Sequence, residues 1–314
     1  MKIIDLKNET EYILSPEDRI SCAIGNFDGV HLGHQALLAL AAKKKPGITK
    51  SAVWTFIKPT SRTLCGVSLL STAEERQAIF RSLGIDLIFL ADFETIRDLT
   101  PEEFTEKILY EECQVRHAVC GFNFRYGKKA AGTAETLLRD FSAKGLSVDI
   151  VPPYQMDGVT VSSSEIRAAL AEGNIRRAEK MLSRPYTLTA EIIHGKKLGR
   201  TMGFPTANQH FPEGKAVPRF GVYAVRMYAD GKVYEGVANV GVRPTVEQGV
   251  CANCECYIFD FAGDLYGKTV KTEFCEFLRP EQTFSDIDAL KTAISNDMAR
   301  AKQYFKAEKE FQTI

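Results

Sequence analysis

The hydrophobic pattern of this 314-residue chain changes once, near residue 183. Before that point, short apolar runs alternate with amphipathic stretches, which predicts strands followed by helices. The predicted strands are residues 20–24, 52–56, 85–90, 117–121 and 148–151, and helix start signals of the capping-box type occur at residues 71–75 and 100–103. Because short links join these elements, we expect an α/β domain with a parallel, doubly wound sheet and helices on both faces.

From Tyr186 to Leu278 the apolar positions recur every second residue, with Gly, Pro and Asp between the runs. Asp230 and Gly231 separate two such runs, which predicts a two-residue hairpin turn. Several antiparallel strands of this spacing predict a small antiparallel β-barrel, and the pattern after Ser285 predicts a C-terminal helix. We therefore divide the chain into domains of residues 1–182 and 183–314.

Composition narrows the class of protein. With 45% hydrophobic and 25% charged residues the chain is typical of a globular protein with an ample core. The 40 basic and 40 acidic side chains cancel, so we expect no nucleic-acid partner and expect local groups to hold any anionic ligand. No apolar run approaches a membrane span and the start of the chain lacks a signal-peptide core, so we expect a cytoplasmic protein without a membrane partner.

The eight cysteines are expected to be free thiols. Cys251, Cys254 and Cys256 form the one cluster, and a zinc site there would need a fourth ligand such as Cys275. Incidental thiols on a strand are the preferred interpretation, because the ligand set is incomplete.

The stretch from Gly25 to His34 joins the first predicted strand to a helix predicted over residues 35–45. A strand, a glycine-rich turn and a helix present backbone N–H groups and a positive dipole end to a phosphate. The stretch adds two imidazoles, His31 and His34, and Gly33 between them would let a ligand approach closely. The candidate phosphate-binding residues here are Gly25, Asn26 and Gly33.

Two further segments, residues 121–127 and 161–167, follow the ends of predicted strands. Because ligands of such sheets lie beyond the carboxyl ends of the strands, all three segments should converge on one cleft. Ser163 and Ser164 are expected to cap a helix, and Arg167 in its first turn can bind phosphate bidentately.

A second dense stretch, residues 194–208, lies in the predicted barrel. Its glycines and basic residues suit a backbone nest for polyphosphate, and the candidates are Gly195, Lys196, Gly199, Arg200 and Gly203. Thr206 and Asn208 are oxygen donors two residues apart, hence on one side of an extended segment, which suits Mg²⁺ held together with the phosphates of ATP.

These motifs resemble those of a known family. Residues 31–34, His-Leu-Gly-His, resemble the HxGH signature of the nucleotidyltransferase superfamily, and residues 163–167 are similar to its SSTxxR element. The string FDGVHLGH at residues 27–34 and GRTMGFPTAN at residues 199–208 resemble the bacterial bifunctional riboflavin kinase/FAD synthetases. The resemblance implies that the barrel phosphorylates riboflavin to FMN and that the first domain adenylylates FMN to FAD and pyrophosphate, both with Mg-ATP.

The same resemblance implies roles for further residues. Asn123, Phe124 and Arg125 match the element that lines the flavin and nucleotide pocket, and His31 and His34 would stabilise charge on the α-phosphoryl group. The catalytic base near the ribityl hydroxyl would be Glu255, which follows the Arg-Pro-Thr loop. The implied partners are riboflavin, FMN and ATP, with flavin-accepting apoproteins as further candidates.

Two departures from the family leave alternatives open. Ile57–Thr60 stands where the family has Asp-Pro-His-Pro, and Phe122 stands where it often has Glu. One alternative is a riboflavin kinase whose first domain only binds flavin or nucleotide, although His31, His34 and Arg167 are all present. Another is a non-catalytic flavin-responsive regulator, which the complete set of kinase motif residues disfavours.

Overall fold

The computed structural model describes residues 1–8, 14–43, 46–56, 68–194, 206–245 and 249–312. The chain packs as two compact units, Met1–Ser163 and Ser164–Ile314. The domain boundary that the hydrophobic pattern places near residue 183 stays a prediction.

The first unit alternates strands and helices, as the sequence predicts. Its strands are β1 Lys2–Asp5, β2 Ile20–Ile24, β3 Lys50–Phe56, β4 Leu87–Ala91, β5 Val115–Gly121, β6 Arg125–Tyr126, β7 Gly132–Thr133, β8 Ser147–Val151, β9 Gln155–Met156 and β10 Val159–Thr160. Its helices are α1 Leu32–Ala42, α2 Ala73–Ser82, α3 Phe93–Ile96, α4 Pro101–Glu103 with a π-helical continuation Phe104–Glu112, and α5 Ala134–Ser142. Short 3₁₀ turns lie at Asp28–Val30 and Lys128–Ala130.

Six of these strands form one sheet in the order β1-β4-β3-β2-β5-β8, and each neighbouring pair is parallel. Ile20, Cys22 and Ile24 of β2 pack into a core on one face with residues of the α4 continuation and α5. Ala23 packs into a second core on the other face with residues of α1 and α2. Helices therefore cover both faces, and the predicted doubly wound sheet is confirmed.

Two details differ from the sequence prediction. Strand β1 adds an edge to the sheet through its pairing with β4 alone, so the sheet has one more strand than the pattern indicates. Helix α1 begins at Leu32 rather than at residue 35, which places His34 in its first turn. The predicted helix end at residue 45 lies outside the described residues.

The second unit begins with two helices, α6 Ser163–Glu172 and α7 Ile175–Leu182. Its strands are β11 Tyr186–Glu191, β12 Thr206–His210, β13 Gly221–Ala229, β14 Lys232–Thr245, β15 Gly249–Ile258 and β16 Thr269–Pro280, and the terminal helix is α8 Ile287–Gln312. The strands form an antiparallel sheet in the order β11-β16-β13-β14-β15-β12. Just beyond β11, Ile193 pairs with Asn208 of the opposite edge, and Ile193 N donates to Asn208 O at 2.9 Å. The sheet thus curls onto its own edge, and the predicted small antiparallel β-barrel is confirmed.

The predicted hairpin turn joins β13 to β14. Asp230 and Gly231 have φ values of 49° and 73°, the left-handed conformation that a two-residue turn between twisted strands requires.

Helix α8 packs against the outside of the barrel. Ala301 and Phe305 are fully buried against Val222 and Ala224 of β13. Ile287, the first residue of the helix, is 62% exposed, so the helix becomes buried only further along its length.

Candidate active sites in the two units

The turn after β2 presents the two histidines of the first unit. His31 is the N-cap residue of α1, and its Nδ1 accepts a hydrogen bond from His34 N at 3.3 Å. A neutral imidazole whose Nδ1 accepts a hydrogen bond carries its proton on Nε2. His31 therefore combines a helix N-terminus with a ring N–H donor, and both favour an anion.

The two imidazole rings stack on each other, with centroids 3.7 Å apart and planes inclined by 17°. Burial, and to a lesser extent the neighbouring His31, hold the pKa of His34 well below its ordinary value. His34 is therefore neutral near pH 7 and acts as a hydrogen-bonding group rather than as a cation. Its Nδ1 is buried and has no hydrogen-bond partner among the described residues.

Gly33 makes room for the His31 ring. A Cβ atom at Gly33 would lie 3.1 Å from His31 Cε1 and 3.2 Å from His31 Nδ1, closer than ordinary contact. The position therefore has no space for a side chain while the imidazole caps the helix. Close approach of a ligand at Gly33 stays a prediction.

A buried hydrogen-bond network, which the sequence did not reveal, fixes this turn. Asp28 is 6% exposed, and its Oδ1 accepts hydrogen bonds from Leu70 N at 2.8 Å and Ser71 N at 3.3 Å. Ser71 Oγ accepts from Gly29 N at 3.0 Å, and Ser163 Oγ donates to the Asp28 carbonyl at 2.9 Å. Two separate segments of the first unit, at residues 70–71 and at Ser163, therefore hold this turn in one conformation.

Arg76 of α2 supplies a cation beside the same turn. Its Nη1 donates to Asn26 O at 3.0 Å, and Thr55 Oγ1 donates to the same carbonyl at 3.3 Å. Burial lowers the pKa of Arg76 while the Asp28 carboxylate opposes that shift, so the guanidinium keeps its charge. No sequence signal distinguishes this arginine from the solvated charges of an ordinary helix.

The predicted flavin-binding residues follow β5. Asn123 and Arg125 are exposed, whereas Phe124 is partly buried and its ring stacks on Tyr126 with centroids 5.4 Å apart. Phe122, which the sequence marks as a departure from the family, is 47% exposed. The aromatic ring most open to a ligand in this loop is therefore Phe122 rather than Phe124.

Ser163 and Ser164 are the first two residues of α6, and Arg167 follows one turn later. Arg167 Nη2 lies 3.5 Å from Ser164 Oγ. Helix α6 from Ser164 onward belongs to the second unit, so its predicted convergence with the histidine turn stays a prediction. The family departure at Ile57–Thr60 lies outside the described residues.

In the barrel, three polar side chains lie side by side across neighbouring strands. Asn208 of β12 pairs with Glu255 of β15, and Glu255 pairs with Asn239 of β14. Asn208 is 3% exposed, and its Nδ2 lies 3.3 Å from Thr206 O and 3.5 Å from Thr206 Oγ1. Its Oδ1 is buried and finds no hydrogen-bond partner within the described ranges. A buried amide oxygen without a partner fits a cation ligand, so the residues present suit Mg²⁺.

The opposite face of β15 carries the cysteines. Cys254 and Cys256 are fully buried, and burial raises the pKa of Cys254 to about 12 and that of Cys256 well above its usual value. Both thiols are therefore protonated near pH 7. In the part of the chain that is described, no three His, Cys, Asp or Glu side chains cluster as a metal site requires. The Cys251 side chain lies outside the described residues.

The predicted polyphosphate loop is also outside the described residues. It comprises Gly195, Lys196, Gly199, Arg200 and Gly203.

Comparison with known proteins matches a different family to each part of the chain. The FAD synthetase family model matches residues 15–165, and the riboflavin kinase family model matches residues 182–305. The bifunctional riboflavin kinase/FMN adenylyltransferase of Pseudomonas fluorescens is 37% identical over 297 residues, which is 92% of this chain and 94% of that protein. The protein of the same description from Bacillus subtilis is 34% identical over 314 residues, covering 97% and 98% of the two chains.

A solved structure shares the architecture. The crystal structure described as a macrolide-efflux protein from Streptococcus pneumoniae superposes with a TM-score of 0.81 at 31% identity, covering 94% of this chain and 97% of that one. Within the described part of this chain, no helix is both long and apolar enough to cross a membrane. On the strength of its bifunctional relatives and the two matched domains, the chain belongs to the bifunctional riboflavin kinase/FMN adenylyltransferase family.

Proposed function

We propose that the chain makes FAD from riboflavin in two ATP-dependent steps, each with its own set of residues. Riboflavin and ATP give FMN and ADP in the barrel, and FMN and a second ATP give FAD and pyrophosphate in the first unit. The observation that carries the assignment is the presence, in one chain, of matches to both families, together with a bifunctional relative that is similar over 92% of the chain.

In the adenylylation step, a phosphate oxygen of FMN attacks the α-phosphorus of ATP, and the bond to the β-phosphate oxygen breaks. Negative charge grows on the α-phosphoryl oxygens and on the leaving pyrophosphate. His31 offers its Nε2–H and the N-terminus of α1 at this charge, and neutral His34 adds a second imidazole stacked on the first. Because the network around Asp28 holds the turn beforehand, little reorganisation is needed as the charge develops.

Ser163, Ser164 and Arg167 are proposed to receive the departing phosphates at the start of α6. Gly25, Asn26 and Gly33 are proposed to line the triphosphate, with Arg76 contributing positive charge behind the Asn26 carbonyl. The loop of Asn123, Phe124 and Arg125 is proposed to bind the flavin.

In the kinase step, the ribityl 5′-hydroxyl attacks the γ-phosphorus of ATP and ADP leaves. Glu255 accepts the hydroxyl proton as the oxygen–phosphorus bond forms. Asn208 Oδ1 and Thr206 would hold Mg²⁺, which neutralises charge on the β- and γ-phosphates when bound. Gly195, Lys196, Gly199, Arg200 and Gly203 are proposed to cradle those phosphates.

The remaining proposals follow from this chemistry. We propose a cytoplasmic enzyme in which residues 1–182 and 183–314 form the two catalytic domains, whose partners are its small-molecule substrates and apoproteins that accept its flavin products.

The test is a time course of the purified protein with riboflavin, ATP and Mg²⁺, in which FMN and FAD are separated and quantified. We expect FMN to rise first and then to fall as FAD accumulates. FMN that persists without FAD, even with pyrophosphatase added, would favour the kinase-only alternative that Ile57–Thr60 suggests. Formation of neither product would refute the proposal.

A further inference from the structure

We propose that Asn253 is a positioning residue for the riboflavin kinase step. Its side-chain amide donates a hydrogen bond to one carboxylate oxygen of Glu255 and helps to hold the carboxylate in the orientation in which it accepts the proton of the ribityl hydroxyl. The inference rests on the proposed role of Glu255 as the base of that step.

The geometry comes from strand β15. Asn253 and Glu255 are two residues apart, so their side chains lie on the same face of the sheet. Asn253 Nδ2 donates to Glu255 Oε1 at 3.2 Å. On the neighbouring strands, His210 of β12 and Gly241 of β14 are paired with Asn253.

The orientation of the amide follows from the chemistry of its partner. An ionised carboxylate only accepts hydrogen bonds, so the amide nitrogen rather than the amide oxygen must face Glu255. Asn253 is 2% exposed, so water cannot readily replace the carboxylate as its partner. The hydrogen bond is therefore a built contact and not a transient surface pairing.

Glu255 needs such a contact, because the terminal torsion of a glutamate side chain is broad and is not fixed by its rotamer. A base that rotates freely would present its oxygens to the alcohol only part of the time. A donor fixed on the same strand restricts the carboxylate to one orientation. The Asn253 amide is a donor in that position.

The contact between Asn253 and Glu255 lies on one face of β15 only. Cys254 lies between the two residues in sequence but is fully buried on the opposite face. Substitution of Asn253 therefore acts first on Glu255 and on the polar row that Glu255 shares with Asn208 and Asn239.

The test compares Asn253→Ala and Asn253→Asp with the wild-type chain in the riboflavin kinase reaction. We expect kcat to fall about 10- to 100-fold in Asn253→Ala, as for other losses of a group that orients a reacting side chain, while KM for riboflavin and for ATP stays within about twofold. Asn253→Asp keeps the size of the side chain but places a second acid against Glu255, so the two carboxyl groups share a proton and Glu255 becomes a weaker base; we expect at least as large a loss of kcat. Conversion of FMN to FAD by the same preparations should be unchanged.

The control for a merely structural effect is Thr272→Val. Thr272 is fully buried in the barrel and donates to Gln209 Oε1 at 2.7 Å, and its strand β16 pairs with β11 and β13 rather than with the strand of Glu255. This variant should lower the thermal stability of the barrel and leave kcat within about twofold of wild type, since a lost buried hydrogen bond costs stability. A kcat loss in Thr272→Val equal to that of Asn253→Ala would assign the effect to barrel stability and overturn the proposal.

A double-variant cycle tests whether Asn253 acts through Glu255. In a Glu255→Gln background, Asn253→Ala should cause no further loss of kcat. An additional loss equal to that in the wild-type background would overturn the proposal.

If Glu255→Gln itself keeps wild-type kcat, the proposed base is wrong. If Glu255→Gln is slow while Asn253→Ala and Asn253→Asp are both normal, only the present inference fails, and if Asn253→Ala does not fold, Asn253→Asp decides.

Discussion

Replacement of Gly33 by alanine separates the stability of α1 from the chemistry of the turn before it. The new Cβ atom would lie 3.1 Å from His31 Cε1, whereas ordinary contact begins at 3.4 Å, so the imidazole must move by about 0.3 Å or more. The same movement weakens the hydrogen bond that His31 Nδ1 accepts from His34 N. The perturbation is thus small in distance but directed at the proposed catalytic ring.

The two effects on stability oppose each other. Gly to Ala in a helix favours folding by at most about 1 kcal/mol. Loss of a side-chain N-cap costs about 1 kcal/mol. We therefore expect the free energy of unfolding of Gly33→Ala to stay within about 1 kcal/mol of wild type.

The effect of Gly33→Ala on the rate of FAD formation has no opposing contribution. Since a displacement of 1 Å in a reacting group costs about 100-fold in rate, we expect a shift of a few tenths of an ångström in His31 to slow FAD formation from FMN by about 10-fold. Formation of FMN from riboflavin should be unchanged in the same preparation. Thermal unfolding measures the stability of the variant, and the two product assays measure the rates of FAD and FMN formation.

The matched control is Ala39→Gly on the exposed side of α1. It weakens the helix by about 0.5–1 kcal/mol without touching His31, and FAD formation should persist. A normal rate of FAD formation in Gly33→Ala would show that the position of the His31 ring is not needed and would refute the proposed role.

Three other predictions concern folding, pH and thiol chemistry. Phe305→Ala should lower the free energy of unfolding by about 3–5 kcal/mol in urea titrations, because the ring is fully buried between α8 and the barrel, whereas exposed Lys306→Ala should change it by less than about 0.5 kcal/mol. Because the folded state lowers the pKa of His34, the unfolded chain binds more protons, and stability should fall as pH drops from about 7 to 5; a drop equally large in His34→Gln would contradict this. Cys254 and Cys256 should resist a thiol reagent in the native protein at pH 8 and react once it is unfolded in urea, and rapid native labelling of either, located by peptide mapping, would contradict their burial.

The sequence predicts the elements whose signals are local. The capping boxes at Thr72 and Thr100 appear in the structure with both of their hydrogen bonds, because each involves residues three apart in one turn. The turn at Asp230 and Gly231 is equally local. Strand β1 escaped prediction because four residues that pair with one neighbour give too short a pattern.

The site residues that the sequence missed depend on contacts between distant segments. Asp28 meets Leu70 and Ser71 more than 40 positions further along the chain, and Arg76 reaches Asn26 across 50 positions. A charged residue in a sequence gives no sign of such partners. The sequence pattern also predicts the start of α1 three residues too late, since the cap of this helix is an imidazole rather than one of the usual Ser, Thr, Asp or Asn residues.

The central claim is that one chain carries two separate catalytic sites, and a mixing experiment tests it most directly. Riboflavin, ATP and Mg²⁺ are incubated with His31→Ala alone, with Glu255→Ala alone, and with an equal mixture of the two. We predict that the first forms FMN without FAD, that the second forms neither unless FMN is supplied, and that the mixture forms FAD because each variant retains one intact site. FAD from riboflavin by either variant alone, or a mixture of two folded variants that makes none, would contradict the account.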